Sequence, residues 1–326
     1  MIVIAFFNNK GGVGKTTLVY HLAWMFAEMG VNVVAADLDP QSNLTSMFLE
    51  EDRLEELWPP GGHPLTIQGV IDPILRGIGE IAAPHVERIT AQIGLLAGDL
   101  DLSGSENLFS QAWSRCYVAD ESAFRAITVF YRAIRAAADS RNAKVVLIDL
   151  GPNLGAINRA ALVASTHVVI PLGADLYSAR AIRHLGLQLK TLRADWKDLR
   201  DKSGYPESGE MEPAGYVITR NTRSQSRWVC QIPAEYSEWV SEEETPNPPP
   251  AEKDPHCLGL LRNYRSLVPL AQEAHKPMFL LKPADGAVGA HAEAVRDCYA
   301  EFRELWRRIV AATDPEARFT LPSLAP

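Results

Sequence analysis

The chain has 326 residues, 47% hydrophobic and 22% charged, with a formal net charge of −8 at pH 7. This composition excludes disordered and low-complexity classes, and the length allows a large core in one α/β unit. The acidic balance gives no overall support for holding nucleic acid, and no run reaches the ~18 apolar residues of a membrane span. Cys116, Cys230, Cys257 and Cys298 are scattered without a C-x-x-C pair, which argues against a zinc site or disulfide framework and fits a reducing cytoplasm.

Ile2 to Phe7 is an apolar run that predicts a buried parallel strand, starting too early to leave room for a signal peptide. Leu18 to Phe26 predicts a helix. Between them lies Lys10-Gly11-Gly12-Val13-Gly14-Lys15-Thr16-Thr17. Strand, glycine loop, Gly-Lys-Thr and helix together form a P-loop in its required context. Glycines let backbone N–H groups close around a polyphosphate, and the helix N-terminus adds a favourable dipole. Lys15 is expected at the β/γ-phosphates, and the Thr16 hydroxyl at Mg²⁺. The loop is unusual in opening with a second lysine, Lys10.

Val31 to Asp37 predicts a second parallel strand, followed by Asp37-Leu38-Asp39-Pro40-Gln41. Strand carboxyl ends carry the ligand groups of open α/β sheets, so both carboxylates are expected to face the phosphate site. Residues 50 to 64 read as an exposed connection, 66 to 75 as a helix, 93 to 98 as a strand, and Asp99 to Leu102 as a solvated loop. Ser122 to Ala138 predicts one amphipathic helix. Lys144 to Asp149 is an apolar strand ending in a carboxylate, the Walker B arrangement, with Asp149 expected to hold Mg²⁺. Helix 156–164, strand 167–172, helix 179–193 and strand 216–221 continue the alternation. The proline- and glutamate-rich stretch 237–255 reads as a mobile surface insertion. Strands at 258–261 and 278–281 and a helix over 291–312 complete the pattern. The alternation predicts a doubly wound, mostly parallel α/β sheet with helices on both faces, in one domain over 1–312 with a proline-containing tail at 313–326.

Lys-Gly-Gly-Val-Gly-Lys-Thr-Thr with the downstream D-x-D-P-Q resembles the ParA/MinD family of deviant Walker A ATPases, nearest its ParA branch. The resemblance implies that ATP and Mg²⁺ bind and that the chain cycles between an ATP-bound sandwich dimer and monomers. Lys10 would reach phosphates held by the partner subunit. By position, Asp39 belongs to switch I and orients the attacking water, while Asp37 lies near the Mg²⁺ shell. Leu150-Gly151-Pro152-Asn153 departs from the family's Asp-Thr-Pro-Pro, which leaves open which group senses the γ-phosphate. The loop after the strand at 216–221 implies Arg220 and Asn221 as adenine contacts. The family also implies DNA or plasmid and chromosome partitioning with a ParB-like partner and slow, partner-stimulated hydrolysis. Two alternatives are a positioning switch that acts on a protein without DNA, and an ATP-dependent ligase on the same scaffold. Arg303, Arg307 and Arg308 could hold DNA, but Glu293, Asp297, Glu301 and Glu304 alternate with them as on a salt-bridged face. Pro315, Pro322 and Pro326 break the tail where MinD-type relatives carry a lipid-binding helix.

Overall fold

In the computed structural model the central strands send their side chains alternately into two separate cores, which is why they read as unbroken apolar runs. Val3 and Ala5 enter one core, while Ile2, Ile4 and Phe6 enter the other. The structure describes residues 1–204, 208–221, 226–241 and 249–316, the side chains at 220–221, 226–227 and 238–241 excepted. In chain order the elements are β1 (Ile2–Phe6), α1 (Lys15–Glu28), β2 (Val33–Asp37), α2 (Asn43–Phe48), α3 (Glu51–Leu57), α4 (Ile67–Leu75), β3 (Glu87–Arg88) and β4 (Ile93–Leu96). Then come α5 (Glu106–Cys116), α6 (Glu121–Ile127), α7 (Val129–Ser140), β5 (Val145–Asp149), α8 (Ala156–Val163), β6 (His167–Gly173), α9 (Leu176–Ser203) and β7 (Glu212–Asn221). The last are α10 (Ser226–Val229), α11 (Ile232–Ser241), β8 (Cys257–Arg262), α12 (Val268–Glu273) and α13 (Ala290–Thr313).

The eight described strands make one sheet in the order β3-β4-β2-β5-β1-β6-β7-β8. All neighbours are parallel except β3, which runs antiparallel to β4. One face is covered by α1 and α13 through Leu18, Leu22, Phe302, Leu305 and Trp306. The other is covered by α4 to α9 and α11, with Ile71, Phe109, Phe130, Ile134, Leu162, Ile182 and Tyr236. The order places β5 between β1 and β2, so Phe6, Asp149 and Asp37 stand side by side at one sheet edge. Among the described residues, no helix is long and apolar enough to cross a membrane.

Several expectations are corrected. Residues 51–57 are helical, because Glu51 and Asp52 complement the helix dipole in the first turn and fully buried Leu57 anchors the last. The single helix over 122–138 is two, broken at Thr128, whose hydroxyl bonds back to the Phe124 carbonyl at 2.8 Å. Residues 278–281 are not a strand. Met278–Leu280 forms a 3-10 turn between Pro277 and Pro283, and the Met278 N–H donates to His21 Nε2 instead of a ladder. Asp99 is not solvated: it is fully buried, with His63 Nδ1 2.9 Å from both its oxygens, Thr66 donating to it, and the Asp101 N–H at 2.8 Å. Of the stretch 237–255, the described parts are 237–241 and 249–255. Helix α11 runs to Ser241, Ala251 is buried, and Tyr216 donates to buried Asp254 at 2.5 Å. Residues 242–248 and 317–326 lie outside the described residues.

Candidate nucleotide site

The P-loop takes its shape from two backbone positions that only glycine adopts at no cost. Gly12 (φ 73°) and Gly14 (φ 85°) are left-handed, and Gly14 caps the N-terminus of α1. Asn8 fixes the start of the loop, donating to the Pro171 carbonyl at 2.7 Å while accepting the Lys10 N–H at 2.9 Å. Thr219, at the end of β7, fixes its middle by donating to the Val13 carbonyl at 2.9 Å and sharing with Leu172 at 3.2 Å. Gly11, Gly12 and Thr17 are exposed, Thr16 half-buried, and Val13 and Lys15 buried. Lys15 Nζ folds back onto the carbonyls of Asn8 (3.2 Å) and Lys10 (3.4 Å). Burial pushes its pKa down, while Asp149 and Asp39 draw it back up.

Three buried carboxylates converge opposite this loop. Asp37 is committed to its own segment: Oδ2 accepts the Thr45 N–H (2.8 Å) and hydroxyl (2.7 Å), and Oδ1 faces the Asp39 N–H at 3.3 Å. Burial pushes its pKa up to about 7; the Thr45 bonds oppose this and Asp39 reinforces it. Asp39 Oδ1 accepts the Gln41 N–H at 3.0 Å. A side chain at Gly151 would come within 3.3 Å of that oxygen, so a glycine there lets the loop after β5 close on Asp39. Asp149 is fully buried, and neither of its oxygens has a donor in full hydrogen-bond geometry among the described residues, the Thr16 hydroxyl being the side chain placed to approach it. Burial first and Asp37 second hold its pKa well above the carboxylate range, with Thr16 and Lys15 pulling the other way. A buried carboxylate without such a donor is costly unless a cation or proton completes it. Oxygen donors beside a phosphate cradle fit Mg²⁺, so the residues present suit the ion the sequence implies.

Lys10 turns inward to its own subunit, with Nζ 2.7 and 2.8 Å from the two oxygens of Asp175. A cavity of about 470 Å³ opens beside the P-loop, lined by Gly14, Thr17, Leu18, Thr219, Asn263, Tyr264, Arg265, Val268 and Pro269. It is wide enough for a base, and the loop after β8 makes one wall that the sequence reading did not include. The side chains of Arg220 and Asn221 lie outside the described residues. Glu106 was also missed. Its carboxylate takes the Ala156 and Ile157 N–H groups at 2.5 and 3.1 Å and so caps α8, the helix that follows the loop after Asp149. Its helix is signalled by Phe109, Ala112, Trp113 and Cys116 at helical spacing.

A family profile described as an AAA domain matches residues 1–200. The Bacillus subtilis sporulation initiation inhibitor protein Soj is 30% identical over 60% of this chain and 67% of its own. The chain belongs to the ParA/MinD family of P-loop ATPases. A Rhizobium rhizogenes replication protein A is 32% identical over 52% of this chain, and Escherichia coli protein IncC is 31% identical over 57%. The chain spans only 39% and 45% of those two relatives' length. Among solved structures, Corynebacterium diphtheriae protein DIP2308 shares the fold with a TM-score of 0.71 and 22% identity, covering 97% of this chain and all of that one. The Mycobacterium smegmatis cobyrinic acid a,c-diamide synthase with bound ADP and magnesium has a TM-score of 0.50 and 25% identity, covering 70% and 78%. The family's doubly wound, mostly parallel sheet with helices on both faces is thus present here.

Proposed function

We propose that this chain is an ATPase switch that binds ATP with Mg²⁺, pairs with a second copy of itself, and resets by slow hydrolysis. The observation that carries the reading is Asp149, a buried carboxylate without a donor in full hydrogen-bond geometry among the described residues, at the mouth of a complete P-loop. The N–H groups of Gly11 through Thr17 and the Lys15 ammonium hold the phosphates. Thr16 and Asp149, with Asp37 behind them, would hold Mg²⁺, which when bound supplies positive charge to the β- and γ-phosphates. Asp39 accepts a hydrogen bond from the attacking water and orients it. The wall at 263–269 takes the base, with Arg220 and Asn221 assigned to it by the family resemblance alone. Lys10 completes the partner subunit's site. The process we assign is DNA, plasmid or chromosome partitioning in the cytoplasm with a ParB-like activator, supported by relatives named for chromosome partitioning.

Sedimentation of the chain with Mg²⁺ and a slowly hydrolysed ATP analogue tests the core of this reading. A dimer that requires both nucleotide and metal is expected. A chain that stays monomeric, or pairs equally without nucleotide, overturns it. One observation favours the reading without DNA: Arg307 and Arg308 are both paired with Glu304, and Arg262 of β8 pairs with Glu301 and Asp297 of α13. Of the three candidate arginines on α13, Arg303 alone has no ion pair among the described residues. A DNA mobility assay with ATP at low salt separates the two. No shift there would remove DNA from the mechanism.

A further inference from the structure

Lys10 cannot serve a partner subunit while it is held by its own. Both oxygens of Asp175 take its ammonium, Ser178 Oγ lies 3.5 Å away, and the ring of Tyr177 is 5.8 Å from it. The receptor for Lys10 is built rather than incidental. Asp175 caps α9 by accepting the Ser178 N–H at 3.0 Å, which fixes the carboxylate in place. A Cβ at Gly173 would stand 2.5 Å from Asp175 Oδ2, so that position admits no side chain while the contact exists. The pairing of β1 with β6 brings residue 175 to the P-loop across 165 residues of sequence. Each partner's side chain is 35% exposed, so the pair can open without unfolding anything.

We propose that Asp175 is a positioning residue that stores Lys10 inside the monomer and releases it only when a nucleotide-loaded second copy offers its phosphates. The inference rests on the reading that Lys10 acts across a dimer. It adds a threshold: pairing must break one Lys10–Asp175 contact in each subunit. Asp175 remains the cap of α9 in both states, so release of Lys10 leaves the helix intact.

Asp175→Asn removes the charge and keeps the cap, since asparagine caps helices as well as aspartate. Partly exposed ion pairs of this kind are worth roughly two- to fivefold. Two open per dimer, so the variant should dimerise about tenfold more tightly in sedimentation with Mg²⁺ and a slowly hydrolysed ATP analogue. Asp175→Glu should bring the affinity back toward the starting chain, and the gap should narrow in high salt as the pair is screened. An acylating reagent applied to the nucleotide-free monomer, read by mass spectrometry, should modify Lys10 faster in Asp175→Asn than in the starting chain. Equal dimer affinity with equal Lys10 labelling overturns the storage role, as does equal affinity with faster labelling, since the contact would then exist without setting a threshold. If neither chain dimerises, the two-subunit reading fails and takes this one with it. Melting curves for both variants verify that they are folded before either result is read.

Discussion

Replacing Asp149 with asparagine should make the nucleotide-free chain more stable while abolishing its response to Mg²⁺ and ATP. Asp37 and Asp149 are fully buried partners in adjacent strands, and Asp37 titrates at about 7 instead of 3.8. At about 1.4 kcal/mol per pH unit, carrying that one charge at pH 8 costs the fold about 4 kcal/mol, part of it from neighbouring charge. Asp149→Asn removes the second buried acid, whose pKa burial and Asp37 also raise, and leaves an amide that costs about 1–3 kcal/mol if unpaired. The variant should therefore melt above the native chain at pH 8, where burial makes these acids most costly to ionise. The sign with pH follows from the raised values. The folded state holds these protons more tightly, so the native chain loses stability as pH rises from the unfolded value of about 4 through the folded value of about 7. The variant's advantage should therefore be larger at pH 8 than at pH 5. Calorimetry at both pH values, with and without Mg²⁺ and ATP, reads all four quantities. If the variant melts at or below the native chain at pH 8, Asp149 is not an uncompensated charge and the metal assignment loses its physical basis.

Three further outcomes follow from the same geometry. Lys15→Ala should weaken ATP binding by about 100-fold, the scale of a charge-assisted bond in a buried site, measured by fluorescent-nucleotide titration; retained ATP-dependent dimerisation would contradict the P-loop assignment. Asp39→Ala should slow hydrolysis by ~100-fold or more and trap the ATP-bound dimer; hydrolysis at the native rate would remove Asp39 from water positioning. His21 is fully buried, accepts the Met278 N–H, and has its pKa pushed down to about 4 by burial. Below pH 6.5 the unfolded chain takes a proton that the folded His21 refuses, so between pH 7 and 5 this group removes about 2 kcal/mol of stability. Urea titrations of His21→Leu should show a flatter dependence than the native chain over that range, and parallel curves would refute the assignment.

The phosphate cradle was legible because its chemistry is contiguous. Glycines that supply left-handed backbone, a lysine and a threonine must follow one another between a strand and a helix, so spacing alone reveals them. Asp37, Asp39 and Asp149 were legible for a related reason: each ends or follows an apolar run, and strand ends deliver ligand groups. Helix boundaries were less so. Thr128 divides a periodic stretch through a hydroxyl bond that periodicity does not register, and α5 was passed over although its buried residues recur at helical spacing.

Residues far apart in the chain but joined in space were beyond reach of spacing. Asp99 reads as a loop acid until His63, 36 residues away, arrives to bury it. Thr219 reads as a strand end until β7 lies beside β6 and its hydroxyl meets the P-loop. The sequence by itself determined that this chain carries a P-loop between a strand and a helix and which carboxylates lie at the neighbouring strand ends, because local spacing encodes local geometry. Only the tertiary structure decided that Asp149 is left without a donor in full hydrogen-bond geometry among the described residues and that Lys10 is held by Asp175, because both depend on which strands become neighbours.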